Sequence, residues 1–166
     1  MTTSTYQKSI KPISNKAISD ILLETAFLLE MKGVEYKPRM YEKAALNIGS
    51  MRRDVRDIYK EGGIAALDAK IPGVGEKIAG HIKDILTKGT FAEYKKLKEA
   101  LPINTREITR VYGIGPKRAK TLWQKLRIKN LKALEEAAEA GKLRKLPKFG
   151  KRLETKILTN IKNLKS

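Results

Sequence analysis

With 166 residues the chain has room for one domain or two small ones, and a hydrophobic fraction of 41% is enough for packed cores despite 33% charged residues. Cys is absent, which excludes disulfides, Cys-ligated zinc and iron–sulfur clusters and suits a reducing intracellular compartment, whether cytoplasm, nucleoid or nucleus. Lys and Arg number 36 against 18 Asp and Glu, a net charge of +18 that a polyanion would relieve, with nucleic acid favoured over an anionic membrane surface.

In chain order, residues 1–14 carry no apolar run of signal-peptide length and are expected to be a flexible N-terminus. Ser14 can cap a helix bearing Ile18, Ile21, Leu22, Leu28 and Leu29, closed by Gly33. Pro38 stands near the start of a second helix, where Tyr41, Ala44, Ala45, Ile48, Met51, Val55 and Ile58 keep near-helical spacing. Gly62 and Gly63 interrupt, and a short helix follows from Ile64 to Asp68. Ile78, Ala79, Ile82, Ile85 and Leu86 mark the next helix, ended by Gly89. Phe91, Tyr94 and Leu97 mark another, broken at Pro102. A short helix holds Ile108 and Val111, and the following one Ala119, Leu122, Trp123 and Leu126. Asn130 can cap a helix through Leu131, Leu134 and Ala138, and the last runs from Gly150 through Ile161. No segment alternates as a strand would or approaches a membrane span, so the expected class is all-α.

The charge is uneven: +3 over residues 1–70, +2 over 71–100, +7 over 101–130, −2 over 131–140 and +8 over 141–166. A localised basic face fits this better than a generally basic surface.

A repeat lies inside the helical pattern. Ile71-Pro72-Gly73-Val74-Gly75-Glu76-Lys77-Ile78-Ala79 is echoed by Val111-Tyr112-Gly113-Ile114-Gly115-Pro116-Lys117-Arg118-Ala119, and more weakly by Leu146-Pro147-Lys148-Phe149-Gly150-Lys151-Arg152-Leu153. In the third copy Lys148 takes the place of the first glycine, so that copy is degenerate. The paired glycines permit a tight turn with positive φ and leave no side chain in the way of a close ligand. Val74 or Ile114 can anchor the turn in the core. The amides that follow open a helix, where unpaired N–H groups and the dipole favour an anion. Lys77, Lys117, Arg118 and Lys151 place positive charge beside them. Such contacts hold a phosphate backbone without reading sequence.

These hairpins, preceded by Tyr36-Lys37-Pro38-Arg39-Met40-Tyr41-Glu42-Lys43-Ala44-Ala45, resemble the N-terminal part of family X DNA polymerases, which is built from helix-hairpin-helix motifs. The resemblance divides the chain into a lyase-like helical domain over residues 15–90 and a fingers-like domain over 91–166. It implies that Lys37, Tyr41 and Lys77 surround a DNA 5′-phosphate. It puts the amides of Gly73, Gly75, Gly113 and Gly115 on backbone phosphates. The carbonyls of Ala69, Ile71 and Val74, and of Thr109, Val111 and Ile114, would hold K⁺ or Na⁺, and no other cofactor is implied.

Two departures shape the expected function. The family's palm should follow the third hairpin, but the sequence ends at Ser166, and the closest-spaced aspartates, Asp54 and Asp57, fall in helix. Nucleotidyl transfer needs metals clamped by carboxylates, so no polymerase activity is expected within this chain. The family's lyase nucleophile falls at His81, whose imidazole cannot form a productive Schiff base. Lys77, Lys83 or Lys37 could substitute only if tuned from the ordinary lysine pKa of about 10.4. The leading expectation is a monomeric, non-catalytic module for gapped or 5′-phosphorylated DNA in repair. Its alternatives are a lyase with a displaced lysine, or the DNA-binding piece of a split polymerase or of a nuclease partner.

Overall fold

A computed structural model describes residues 12–166. Most of the expected flexible N-terminus lies outside the described residues; the described part of it ends in a cap, where Ser14 Oγ accepts the Ala17 N–H at 3.1 Å. The helices are α1 (Asn15–Met31), α2 (Lys37–Ser50), α3 (Val55–Lys70), α4 (Glu76–Lys88), α5 (Ala92–Ala100), α6 (Thr105–Ile108), α7 (Pro116–Leu126), α8 (Leu131–Glu139) and α9 (Gly150–Lys165), with a 3₁₀ turn at Leu143–Lys145. The class is all-α, and no strand occurs among the described residues. By contacts the chain divides into one unit of residues up to Leu29 plus Gly33–Leu97, and a second of Glu30–Lys32 plus Lys98–Ser166. The division falls within α5, later than the Gly89 break suggests.

One expected helix is two. The apolar spacing from Tyr41 to Ile58 runs on in phase, but α2 ends at Ser50 and α3 starts afresh, with the Asp54 carboxylate accepting the Arg56 N–H at 2.9 Å. Asn15 braces the junction, its amide donating to the Arg53 carbonyl and its oxygen accepting the Val55 N–H. Gly62 and Gly63 do break the helical backbone inside α3, as expected.

The first unit packs Leu22, Ile48, Ile58, Leu67 and Ile82 into a core in which each is at most 2% exposed. Burial of each such side chain stabilises by about 1.5–3 kcal/mol. Small residues let α1 and α2 close: the buried Ser19 hydroxyl donates to the Ala45 carbonyl, and a Cβ on Gly49 would sit 3.2 Å from that hydroxyl.

The second unit gathers Ile108, Leu122, Leu134, Leu143, Ile157 and Ile161. Asn104 and Asn130 cap α6 and α8 through their side-chain oxygens, and Glu107 accepts the Leu131 N–H at 2.8 Å, tying α6 to the start of α8. Buried against the 3₁₀ turn is one carboxylate. Glu154, 1% exposed, accepts the Arg144 backbone N–H at 2.9 Å and pairs with its guanidinium at 2.7 Å. Burial works against its charge, but the Arg144 amide, its guanidinium and the Leu143 amide outweigh that and hold the carboxyl below the usual range. Glu154→Leu is expected to cost about 2–3 kcal/mol, the toll of an orphaned backbone N–H and a lost charge-assisted pair. The fuller penalty of a stranded buried charge does not arise, because the Arg144 side chain is 44% exposed. Thermal melts of the two proteins at neutral pH measure it.

Candidate nucleic-acid interface

The two intact hairpins share one geometry. In the first, the Val74 N–H closes the turn on the Ile71 carbonyl at 3.1 Å, Gly73 has φ +81°, and Ala79 N–H bonds the Gly75 carbonyl to begin α4. In the second, Ile114 N–H closes on Val111 at 3.2 Å, Gly113 has φ +79°, and Ala119 N–H bonds Gly115. Val74 and Ile114 are buried, anchoring each turn as expected. Gly73 and Gly113 need the left-handed backbone that L-residues avoid. Gly75 and Gly115 differ: they are extended, they precede α4 and α7 without any side-chain cap, and nothing stands within 4 Å of where a Cβ would be. Each therefore leads into a helix start without a side-chain cap and leaves open the space beside the glycine, the arrangement that takes an anion; in the second hairpin Pro116 supplies no N–H, so the amides on offer begin at Lys117.

The hairpins are braced from behind. Asn47 of α2 donates to the Pro72 carbonyl at 2.6 Å, and Asn160 of α9 accepts the Tyr112 N–H at 2.7 Å. The third copy forms the same closing bond, Phe149 N–H to Leu146, and Lys148 adopts φ +64° where the others have glycine. Its second glycine diverges, Gly150 having φ +65° where Gly75 and Gly115 are extended. The turn survives, but the approach to the helix start is altered. Arg118 does not point outward. Its guanidinium donates to the Gly113 carbonyl at 2.9 Å and to Lys148 at 3.4 Å, knitting the second hairpin to the third. Lys77, Lys117 and Lys151 are exposed.

Beside the first hairpin lies a polar cluster. Glu93 Oε2 accepts from Tyr41 OH at 3.2 Å and stands 3.7 Å from His81 Nε2, while Oε1 pairs with Lys37 at 3.3 Å. The His81 ring stacks on Phe91 with centroids 4.3 Å apart, and on Tyr41 at 6.1 Å. His81 Nε2 is buried without a hydrogen-bond partner. Burial, opposed by Glu93 and aided by Lys77, pushes the imidazole below its ordinary pKa, which favours its neutral form. Tyr41 is only 2% exposed; burial and then Glu93 raise its pKa, keeping the hydroxyl a donor. Lys37 and Lys77 act on each other's titration in this cluster: Lys77, and then Glu93, raises Lys37, while Lys37 lowers Lys77. Burial disfavours the Glu93 charge, yet the Lys37 field and hydrogen bond, Lys77 and Tyr41 together bring its pKa below normal. Lys83, six residues past Lys77, falls on another side of α4.

The carbonyl triads, Ala69, Ile71 and Val74 and then Thr109, Val111 and Ile114, each span one closing turn. Ile71 and Val111 each accept one hydrogen bond there, leaving a lone pair. The donors are neutral oxygens, a set suited to a monovalent cation. Among the described residues, no three or more His, Cys, Asp or Glu side chains gather to hold a metal ion, and no helix is long and apolar enough to cross a membrane.

Residues 13–91 match the model of the helix-hairpin-helix domain, and residues 105–163 that of the SAM-like helix-hairpin-helix tandem. Both halves of the chain are thus similar to helix-hairpin-helix domains. The chain is also 29% identical over 139 residues to the DNA polymerase/3′-5′ exonuclease PolX of Bacillus subtilis (strain 168). That match takes in 82% of this chain but 23% of the relative, so the chain spans about a quarter of the length of the curated protein it resembles. It has the makeup of the helix-hairpin-helix region of a PolX-like protein.

Of the residues singled out in the sequence, the helix-hairpin-helix fold brings Lys37, Tyr41, Lys77 and His81 together, and it sets Gly75 and Gly115 at open helix starts. Glu93 and Phe91 complete the cluster without any signal in the sequence. Glu93 opens α5 as an ordinary first-turn acid, and its partners Lys37 and Tyr41 lie more than fifty positions away.

Proposed function

We propose that this chain binds the sugar-phosphate backbone of DNA through its two intact hairpins, and that the Lys37–Lys77 pair takes a 5′-phosphate at gaps or nicks. The observation that carries the reading is the pairing of glycine-lined open space with uncapped helix starts at both Gly75 and Gly115. Backbone amides there grip phosphate, and exposed Lys77 and Lys117 add charge without reading bases. The matching helix-hairpin-helix families and the PolX relative support DNA as the polyanion. A monovalent cation on the hairpin carbonyls would add positive charge under the same phosphates. A repair setting and a polymerase or nuclease partner accord with this reading.

The test is anisotropy titration of a 5′-phosphorylated gapped duplex, its 5′-hydroxyl twin and an intact duplex across a salt series. The expected result is tightest binding to the phosphorylated gap, with affinity falling steeply as salt rises. Equal affinity for all three substrates rejects end recognition; salt-independent binding rejects backbone gripping.

A second reading is a lyase: Lys77 stands in the same cluster as Lys37, which shifts its pKa downward, the direction that favours a neutral, nucleophilic amine. Its neutral amine would add to the C1′ aldehyde of an incised abasic sugar and release water as the Schiff base forms. Borohydride trapping with a Lys77→Ala control decides: a Lys77-dependent covalent adduct supports the lyase, and no adduct rejects it.

A further inference from the structure

Tyr112 stands at the tip of the second hairpin with 58% of its surface exposed. In the other two copies this position is proline, Pro72 and Pro147, so the aromatic ring is not part of what makes the turn. The Tyr112 backbone is fixed by the bond from its N–H to Asn160 Oδ1, and Lys156 Nζ lies 5.6 Å from the ring centroid. Ring and helix α9 together border an open depression of about 330 Å³, completed by Thr155, Lys156, Thr159, Asn160 and Asn163. That volume is at the small end of ligand pockets, which run from about 300 to 1,000 Å³. The lining is chemically mixed. Asn160 has its oxygen committed to Tyr112, which leaves its NH₂ to donate, while Thr155 and Thr159 donate to backbone carbonyls and keep oxygen lone pairs for incoming donors.

We infer that this depression is a stacking platform for an unpaired nucleobase of a DNA strand, the base lying on the Tyr112 ring with its polar edge toward α9. Three observations single out that occupant. A flat aromatic face edged by amide donors and hydroxyl acceptors matches a heteroaromatic ring with both kinds of group on its rim. The unit that carries it, residues 98–166, has a net charge of +13, which suits a strand of phosphates. The platform is also continuous in sequence with the open helix start at Gly115, so a strand gripped there has its neighbouring base close to the ring. A base inside an intact duplex is already stacked and cannot use the ring, so the platform acts only on single-stranded or gapped segments. The inference deepens the backbone-binding reading above and rests on it.

The experiment compares wild type, Tyr112→Ala, Tyr112→Phe and Gly115→Ala on a single-stranded oligonucleotide and on an intact duplex. A 2-aminopurine in the single strand reports stacking by its fluorescence. Tyr112→Ala is expected to weaken single-strand binding about fivefold or more, the size of one lost base–aromatic stack, with duplex affinity unchanged. Tyr112→Phe keeps both affinity and quenching, whereas Tyr112→Ala loses the quenching. Equal losses on both substrates, or no loss on the single strand, overturn the platform. If Gly115→Ala then still weakens both substrates, backbone gripping stands without it. A wild-type protein that binds neither substrate overturns both readings.

Discussion

Alanine at both Gly75 and Gly115 is expected to weaken DNA binding by about tenfold or more while costing less than about 1 kcal/mol of stability at each site. Both residues have extended backbone that alanine adopts freely, with φ −92° and −104°, and a Cβ at either meets no atom within 4 Å. The stability cost comes only from a poorer helix N-cap. The binding cost arises because the new methyl occupies the space a phosphate needs to reach the amides, and losing one hydrogen bond to a charged group accounts for about tenfold. Alanine at Gly73 and Gly113 behaves differently. Their φ values of +81° and +79° add about 1–2 kcal/mol of strain each. A Cβ at Gly73 would lie 3.1 Å from Lys43 Cγ, and one at Gly113 3.0 Å from Leu153 Cδ1. That pair of changes lowers melting temperature and affinity together. Anisotropy titrations paired with thermal melts separate the two classes, and unchanged binding by the Gly75/Gly115 variant would move the phosphate site off these amides.

What was legible in the sequence follows from how far each interaction reaches along the chain. Caps and breakers are local, so Ser14, Asn130 and Gly89 mark helix ends that the structure keeps. The hairpins are local too, which is why their first glycines and buried anchors read correctly; the positive φ expected at the second glycines does not hold, because Gly75 and Gly115 are extended where they lead into a helix. The α2–α3 break was obscured because Met51, Val55 and Ile58 stay in helical phase across it; the Asp54 cap was the available clue. The side chains that converge from afar were not legible. Arg118 sits where spacing suggests a phosphate ligand, yet its guanidinium turns back to carbonyls of two hairpins, one of them thirty residues distant. Glu93 reaches across more than fifty positions to reshape the Lys37 cluster. Lys148 shows the converse, a residue that makes the third copy degenerate in sequence but that accepts φ +64° within a closed hairpin turn.

Glu93 sets the second large expectation, because it places a carboxylate where a 5′-phosphate is proposed to bind. The phosphate must displace it from Lys37 and Tyr41, or share their charge with it. Glu93→Gln keeps an acceptor for the Tyr41 hydroxyl but removes the competing charge, and is expected to tighten binding of 5′-phosphorylated gapped DNA about tenfold. Two unit charges about 4 Å apart interact by up to about 4 kcal/mol near a protein surface; partial exposure and salt reduce that to roughly the 1.4 kcal/mol that a tenfold change represents. The 5′-hydroxyl substrate controls for location, and equal gains on both substrates would reject a phosphate pocket at this cluster. Stability moves the other way. The folded pKa of Glu93 is depressed below its ordinary 4.5, so its ion pair stabilises the fold above that pH and is lost as pH falls through the folded value. The depressed His81 pKa acts in the same direction: below its ordinary 6.5 the unfolded chain takes up a proton that the buried ring refuses, and stability declines. Glu93→Gln is therefore expected to melt lower than wild type at pH 7, by no more than about 1 kcal/mol given the 41% exposure of its Lys37 partner. The two proteins converge as pH falls through the depressed folded pKa of Glu93, where the wild-type carboxylate is itself becoming protonated. Tight phosphate binding and full stability thus make opposed demands on Glu93, and the pH series read beside the binding series shows both.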